Sequence, residues 1–286
     1  MILILNKNKK KEKKEKKQKE IKHTKPCIKF SFKKASLLKG IFESIKDLIG
    51  VGVFECNQEG IVLSCLDSSH VSLVNLHLKA ESLPYYQCDR NTTLGIKMES
   101  ISKILKIIDN DAHLTLMSEC ESDTISITSK DREKKKASQF ELKLMDIDVE
   151  PMGIPDQKYH TDVKMLSSEF QKLCRDFMVI GEEIIIKTTN TDDSARIEFS
   201  INGDIGTGIL VFQENGSEKD YLSLEIEKEV DIKFSLRHLN AFTKASSLSN
   251  MVTLSLHQEL PLRVEYKMEI GTLRFYLASK IEEEKN

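Results

Sequence analysis

The sequence predicts an α+β fold of two similar domains, each built from two βαβββ repeats with the helices on one face and antiparallel sheets outside. Three observations predict it. First, an apolar–Lys–apolar triplet recurs at Ile28-Lys29-Phe30, Ile96-Lys97-Met98, Val163-Lys164-Met165 and Ile232-Lys233-Phe234, at spacings of 68, 67 and 69 residues. Near-equal spacing of like segments marks an internal repeat. Second, each triplet is followed within a few residues by a helical pattern. Third, each helix is followed by short runs of period two.

The triplets read as short strands with the lysine toward solvent. The first helix carries Leu38, Ile41, Phe42, Ile45 and Leu48 on one face, the second Ile101, Ile104, Leu105 and Ile108. The third carries Phe170, Leu173, Cys174 and Phe177, the fourth Leu236, Leu239 and Phe242. Ser36, Ser100, Ser168 and Ser235 stand near the helix starts and are expected as N-caps. Gly50 and Gly181 are expected as C-terminal stops. Runs such as GIVLSCL, HVSLVNLHL, RIEFSI, MVTLSLH and LRFYLAS alternate between turn residues, the pattern of antiparallel strands with one buried face. One repeat is too small to bury its helix, whereas two make a domain of about 130 residues. The expected division is a basic tail at 1–26, a domain at 27–143, a linker at 144–162, a second domain at 163–280 and an acidic tail at 281–286. The linker holds Pro151, Gly153 and Pro155, which break its alternation. Its Met152 and Ile154 either pin it to the sheet or contribute to a binding surface.

Composition narrows the function. Hydrophobic residues are 40% and charged residues 31% of the 286, enough for real cores. No stretch has 18 uncharged apolar residues, so no membrane contact is expected, and MILIL precedes the charges in the wrong order for a secretory signal. Six cysteines lie far apart in sequence without a C-x-x-C pair, which argues for reduced thiols and against a zinc site or disulfide framework. Residues 1–26 hold eleven lysines and three glutamates, a charge of +8 that leaves −10 on the body. The tail reads as a disordered, solvated extension, a nuclear-import signal or a nonspecific nucleic-acid arm.

The acidic body reserves cations for its helices. Lys39 and Lys46, Lys103 and Lys106, Lys172 and Arg175, and Arg237 and Lys244 lie opposite the apolar stripes at spacings of three or seven. One such face is ordinary solvation. Four in an acidic body form a footprint for nucleic-acid phosphate. No Asn/Gln/Arg cluster suits base reading in the major groove, and Trp is absent. The expected contact is to the backbone of duplex DNA, independent of sequence and sensitive to salt.

Catalysis is not expected. Asp67, Ser69 and His70 are sequence neighbours, whereas hydrolase triads assemble from distant positions. There is no G-x-S-x-G, Walker or G-x-G-x-x-G motif. No metal or cofactor is expected.

The strings LDSSHVSLV (66–74), CDRN (88–91), SKILK (102–106), ELKLMDIDVE (141–150), GIPDQ (153–157), CRD (174–176), TKAS (243–246), VEYK (264–267) and LASKIEEE (277–284) occur in order. Together they resemble the proliferating cell nuclear antigen family of eukaryotic DNA sliding clamps across residues 28–284. The resemblance implies the DNA clamp fold and a nuclear homotrimeric ring whose helices face duplex DNA. It implies a processivity factor that tethers DNA polymerase and other replication or repair proteins bearing clamp-binding motifs, and a clamp loader that opens the ring. The strand with Phe140 and Leu142 is expected to pair with that of Gly208, Ile209, Leu210 and Val211 in the next subunit. The partner groove is expected at Leu66, His70, Val71, Leu73, Met152, Ile154, Pro261, Tyr276 and Ala278. Its extension is expected along Ser279 and Lys280, where backbone from Leu277 onward would bond a partner's flanking segment. Gly40 and Val179 stand where the family presents basic or histidine side chains, Ser279 replaces a proline, and TTNTDDS (188–194) lacks the ubiquitin-acceptor lysine. A diverged clamp paralogue in a damage-response ring is the alternative, and a hydrolase using Ser69 and His70 a remote one.

Overall fold

The computed structural model describes residues 26–131, 135–147, 157–191, 194–214 and 221–280. In the first half, strand β1 (Pro26–Phe32) leads into helix α1 (Ala35–Ile45) and then β2 (Val51–Asn57), β3 (Gly60–Leu66) and β4 (Ser72–Lys79). A short β5 (Tyr85–Cys88) precedes the second repeat: β6 (Thr92–Lys97), α2 (Met98–Ile107), β7 (His113–Glu119), β8 (Thr124–Lys130) and β9 (Ala137–Lys143). The second half repeats this order. It runs β10 (Thr161–Leu166), α3 (Ser167–Phe177), β11 (Glu183–Thr191), β12 (Ser194–Gly203) and β13 (Gly206–Gln213), then β14 (Leu222–Ile226). The fourth repeat is β15 (Asp231–Ser235), α4 (Leu236–Phe242), β16 (Met251–Leu256), β17 (Leu262–Met268) and β18 (Gly271–Leu277). The fourfold βαβββ order is the expected one, with one addition per half: β5 and β14, which lie beside β1 and β10. The four residues of β5 are too few to show alternation in the sequence.

The helices bury the predicted faces, each burying three or four large apolar side chains. That is on the order of 5–10 kcal/mol of transfer free energy per helix, most of it offset by chain entropy. The predicted serine N-caps are not used. Ser36, Ser100 and Ser168 lie inside the first turns, and Ser235, though at the N-cap position, makes no capping bond. Strands run directly into helices here, so neighbouring main chain satisfies the helix starts. The amides of Ala35 and Met98 donate to Ala112 O (2.8 Å) and Gly50 O (3.0 Å), and those of Ser167 and Leu236 to Asn250 O and Glu182 O (both 2.9 Å). Each repeat thus closes the helix of its partner repeat. Of the two expected glycine stops, Gly181 donates to Phe177 O (3.2 Å), whereas Gly50 serves through its carbonyl.

The strands form three sheets. One runs β5-β1-β7-β8-β9, one β13-β12-β11-β15, and the largest β14-β10-β16-β17-β18-β4-β3-β2-β6. The nine-stranded sheet crosses from one half to the other through antiparallel pairing of β18 with β4, from Gly271↔Leu78 to Leu277↔Ser72. Gly271 opens this junction at φ +154°, and a Cβ there would lie 1.9 Å from His77 O. Only glycine permits both that backbone and that approach.

Candidate functional site

The helices pack side by side as one layer in the order α2, α1, α4 with its 3-10 extension (Thr243–Ser247), α3. Their apolar sides face the sheets, so their polar sides share the opposite surface. Lys103, Lys106, Lys172, Arg175, Arg237 and Lys244 are exposed there, and Lys39 and Lys46 are half-buried. Lys244 sits on the 3-10 turn rather than on the α-helix expected for it, and Lys46 lies one residue past α1.

Not all eight cations are equally free. Lys39 donates to Ile108 O and to Asn110 Oδ1 (2.8 Å), tying α1 to the end of α2. Lys46 pairs with Glu43 (2.5 Å), Lys103 with Glu99 (2.5 Å) and Arg175 with Asp176 (3.6 Å). Lys244 pairs with Asp47, across the two halves. Among the described residues, Lys106, Lys172 and Arg237 have no carboxylate within 4 Å. A Cβ on Gly40 would meet Leu248 Cδ2 of the other half at 2.7 Å, so a larger residue there requires that side chain to shift. Val179 is 74% exposed at the end of α3.

On the sheet side, Asp67 organises a tight turn between β3 and β4. Its carboxylate accepts the amides of Ser69 (3.2 Å), Val71 (2.9 Å) and Ser72 (2.7 Å) and the Ser69 hydroxyl. Burial pushes the Asp67 carboxyl up, but these bonds outweigh it and hold the group at about 2. The turn forces His70 to φ +58° and presents His70 and Val71 at the surface. Because the folded value lies below the ordinary 3.8, this carboxylate stabilises the fold above about pH 4 and loses that contribution as pH falls toward 2. Asp67→Ala should therefore cost about 2 kcal/mol at neutral pH, and the difference from wild type should shrink in acid. Denaturant titrations at pH 7 and pH 3 check this; an undiminished difference at pH 3 contradicts it.

Val71 opens onto a groove of about 860 Å³. Of the predicted groove residues, Leu66, His70, Val71, Leu73, Pro261, Tyr276 and Ala278 line it together. Met152 and Ile154 lie outside the described residues. Ser279 and Lys280 line a separate hollow of about 360 Å³ with Ile185, Asp231 and Gln258. The amides of Ala278 and Lys280 already donate to Val71 O (3.1 Å) and Lys233 O (2.9 Å), so those two are not free for a partner strand. The sequence reading missed Tyr159, which forms a wall: its hydroxyl donates to Pro261 O (3.1 Å) and its ring covers Arg263 at 4.6 Å. Burial pushes its hydroxyl up to about 12, keeping it a donor. An aromatic between the Pro/Gly-rich linker and the next strand was the available signal. At the other end of the linker, the amide of Met145 donates to Gly95 O (2.8 Å). A Cβ on Gly95 would lie 2.1 Å from Met145 O, so glycine lets the linker lie against β6.

The remote hydrolase reading fails on geometry. The Ser69 hydroxyl donates to Asp67, and the imidazole beside it is His238 (Nε2 at 3.4 Å), not His70. His238 Nδ1 meets Ser235 Oγ at 2.9 Å while Nε2 faces both Ser69 and Asp67, so no serine–imidazole–carboxylate relay forms. Among the described residues no metal-binding cluster occurs, and no helix is long and apolar enough to cross a membrane.

A family model of the proliferating cell nuclear antigen N-terminal domain matches residues 27–151, and one of its C-terminal domain matches residues 153–281. The chain belongs to the proliferating cell nuclear antigen family. The two matched domains, the four helices and the antiparallel sheets are those of the DNA clamp fold. Proliferating cell nuclear antigen proteins are sliding clamps, and membership carries that general role and, in general terms, DNA and clamp-binding proteins as partners.

Proposed function

We propose that the chain is a processivity clamp that closes head to tail into a homotrimeric ring around duplex DNA and tethers a polymerase through the linker groove. One observation carries the reading. The nine-stranded sheet consists of a five-strand block (β14-β10-β16-β17-β18) joined to a four-strand block (β4-β3-β2-β6). The other two sheets are the same two blocks left apart: β5-β1-β7-β8-β9 and β13-β12-β11-β15. Their unjoined edges, β9 and β13, are the counterparts of β18 and β4. Pairing β9 of one chain with β13 of the next rebuilds the sheet that each chain already contains. It also covers Ile209, Leu210 and Val211, which are 66, 38 and 47% exposed, and seats Phe140 and Leu142 in the seam. Such a contact is heterologous, and on this reading its rotation closes into a ring. The helix layers then form the inner wall, with cations toward phosphate and no side chains placed for base reading. The tethered enzyme gains through effective concentration rather than through new chemistry.

Polymerase synthesis on a primed circular template with a clamp loader tests this. Full-length products should require the chain. Val71→Asp, a change at an exposed groove residue, should lower polymerase affinity at least tenfold and shorten the products while leaving the ring mass unchanged. Full-length products in the absence of the chain, or unaltered synthesis with Val71→Asp, would count against the proposal.

A further inference from the structure

Three of the six cysteines, distant in sequence, meet at the start of β1. Cys27 sits at the register shift where β1 pairs with β7, between Pro26↔Glu119 and Ile28↔Ser118. Cys120 follows Glu119 directly, and its thiol faces that of Cys27 at this end of β1. Cys88, on the other side of β1, pairs with Ile28. Arg90 closes the cluster: its Nε donates to Cys27 Sγ (3.3 Å), and its guanidinium stands 3.9 Å from Glu121. The site has a buried and an open end, for Cys27 is 2% exposed whereas Cys120 is exposed. Cys88 is engaged elsewhere, its thiol donating to Arg90 O (3.1 Å).

We propose that Cys27 and Cys120 form a reversible intramolecular disulfide, made by exchange with a low-molecular-weight disulfide such as oxidised glutathione, that locks β1 to the turn after β7. Exposed Cys120 reacts first. Its thiolate attacks one sulfur of the small disulfide, forming a mixed disulfide and expelling one thiolate. Cys27 then loses its proton, and its sulfur attacks that of Cys120, releasing the second small thiol. Two protein thiols and one small disulfide thus become one protein disulfide and two small thiols. The Arg90 guanidinium, bonded to Cys27 Sγ, holds that sulfur in place for the second attack. Contact with Cys27 raises the Cys120 thiol above its ordinary value, and Arg90 opposes this. The lock ties down the strand that follows the lysine-rich residues 1–25, and it closes a loop long enough to constrain the unfolded chain strongly.

The test uses the full-length chain incubated with oxidised glutathione, alkylated under denaturing conditions and mapped without reduction. The expected product is a Cys27–Cys120 linkage lacking the mass of two hydrogens, with Tm raised by several degrees and restored by dithiothreitol. Cys120→Ser, an exposed substitution, should abolish both the linkage and the Tm shift, and Cys65→Ser should change neither. Alkylation of all six thiols, a lasting glutathione adduct on Cys120, or a Cys27–Cys88 linkage would each overturn the proposal.

Discussion

Leu210→Asp should leave a monomer of 32.7 kDa, where the proposed ring predicts about three times that mass for the wild type in light scattering. The argument rests on the unjoined strand blocks. Inside one chain, β18 meets β4 and the inward residues of that junction are fully covered: Leu76, Val74, Leu273 and Phe275 are all at most 1% exposed. On β13, a strand of the same rank, Leu210 is 38% exposed and its neighbours are more so. An aspartate there leaves the isolated chain almost unchanged, since its carboxylate stays in water. In the closed ring it would be buried in an apolar seam without a partner, at a cost of several kcal/mol. That weakens each interface at least about 100-fold. The monomer should keep the wild-type far-ultraviolet spectrum. A trimer of unchanged stability would show that β13 is not the seam.

Reversing the unpaired cations should have the second largest effect. Lys106, Lys172 and Arg237 lie exposed on the helix layer without a carboxylate partner among the described residues, whereas Lys103 and Arg175 already answer to Glu99 and Asp176. A cation held by a neighbouring acid neutralises less phosphate, so the unpaired three matter most. Lys106→Glu with Lys172→Glu and Arg237→Glu changes the wall by six charges per chain. DNA-stimulated synthesis should fall at least about tenfold, most steeply as salt rises, with ring mass and melting temperature unchanged. Normal synthesis by this variant would move the DNA away from the helices. Lys103→Glu with Arg175→Glu should also lower synthesis, because each change leaves two acids side by side on the wall.

Much of this architecture was readable from residue patterns. Period-two runs and 3.6-period stripes identified strands, helices and the fourfold repeat, because burial of one face constrains each element separately. Pairing between distant elements left no such trace. Nothing in LRFYLAS or HVSLVNLHL says that β18 joins β4, since an apolar strand edge looks alike whether it meets its own chain or another. The same limit hid the meeting of Cys27, Cys88 and Cys120, and the bond from Lys39 to the end of α2. The serines were misassigned as caps because local preference was outvoted by main-chain carbonyls from the partner repeat. Tyr159 was passed over since its value depends on Arg263 and Pro261, more than a hundred residues away. Of the groove, the residues within LDSSHVSLV were the most legible part and the Ser279–Lys280 extension the least.

The most direct test of the central claim is topological. The chain is loaded onto a nicked circular duplex by a clamp loader, separated from free protein, and the circle is then cut once with a restriction enzyme. A closed annulus should stay on the intact circle through gel filtration in high salt and slide off once the DNA has ends. Equal retention on cut and uncut DNA, or loss from both at the salt concentration that disrupts ordinary backbone contacts, would contradict it.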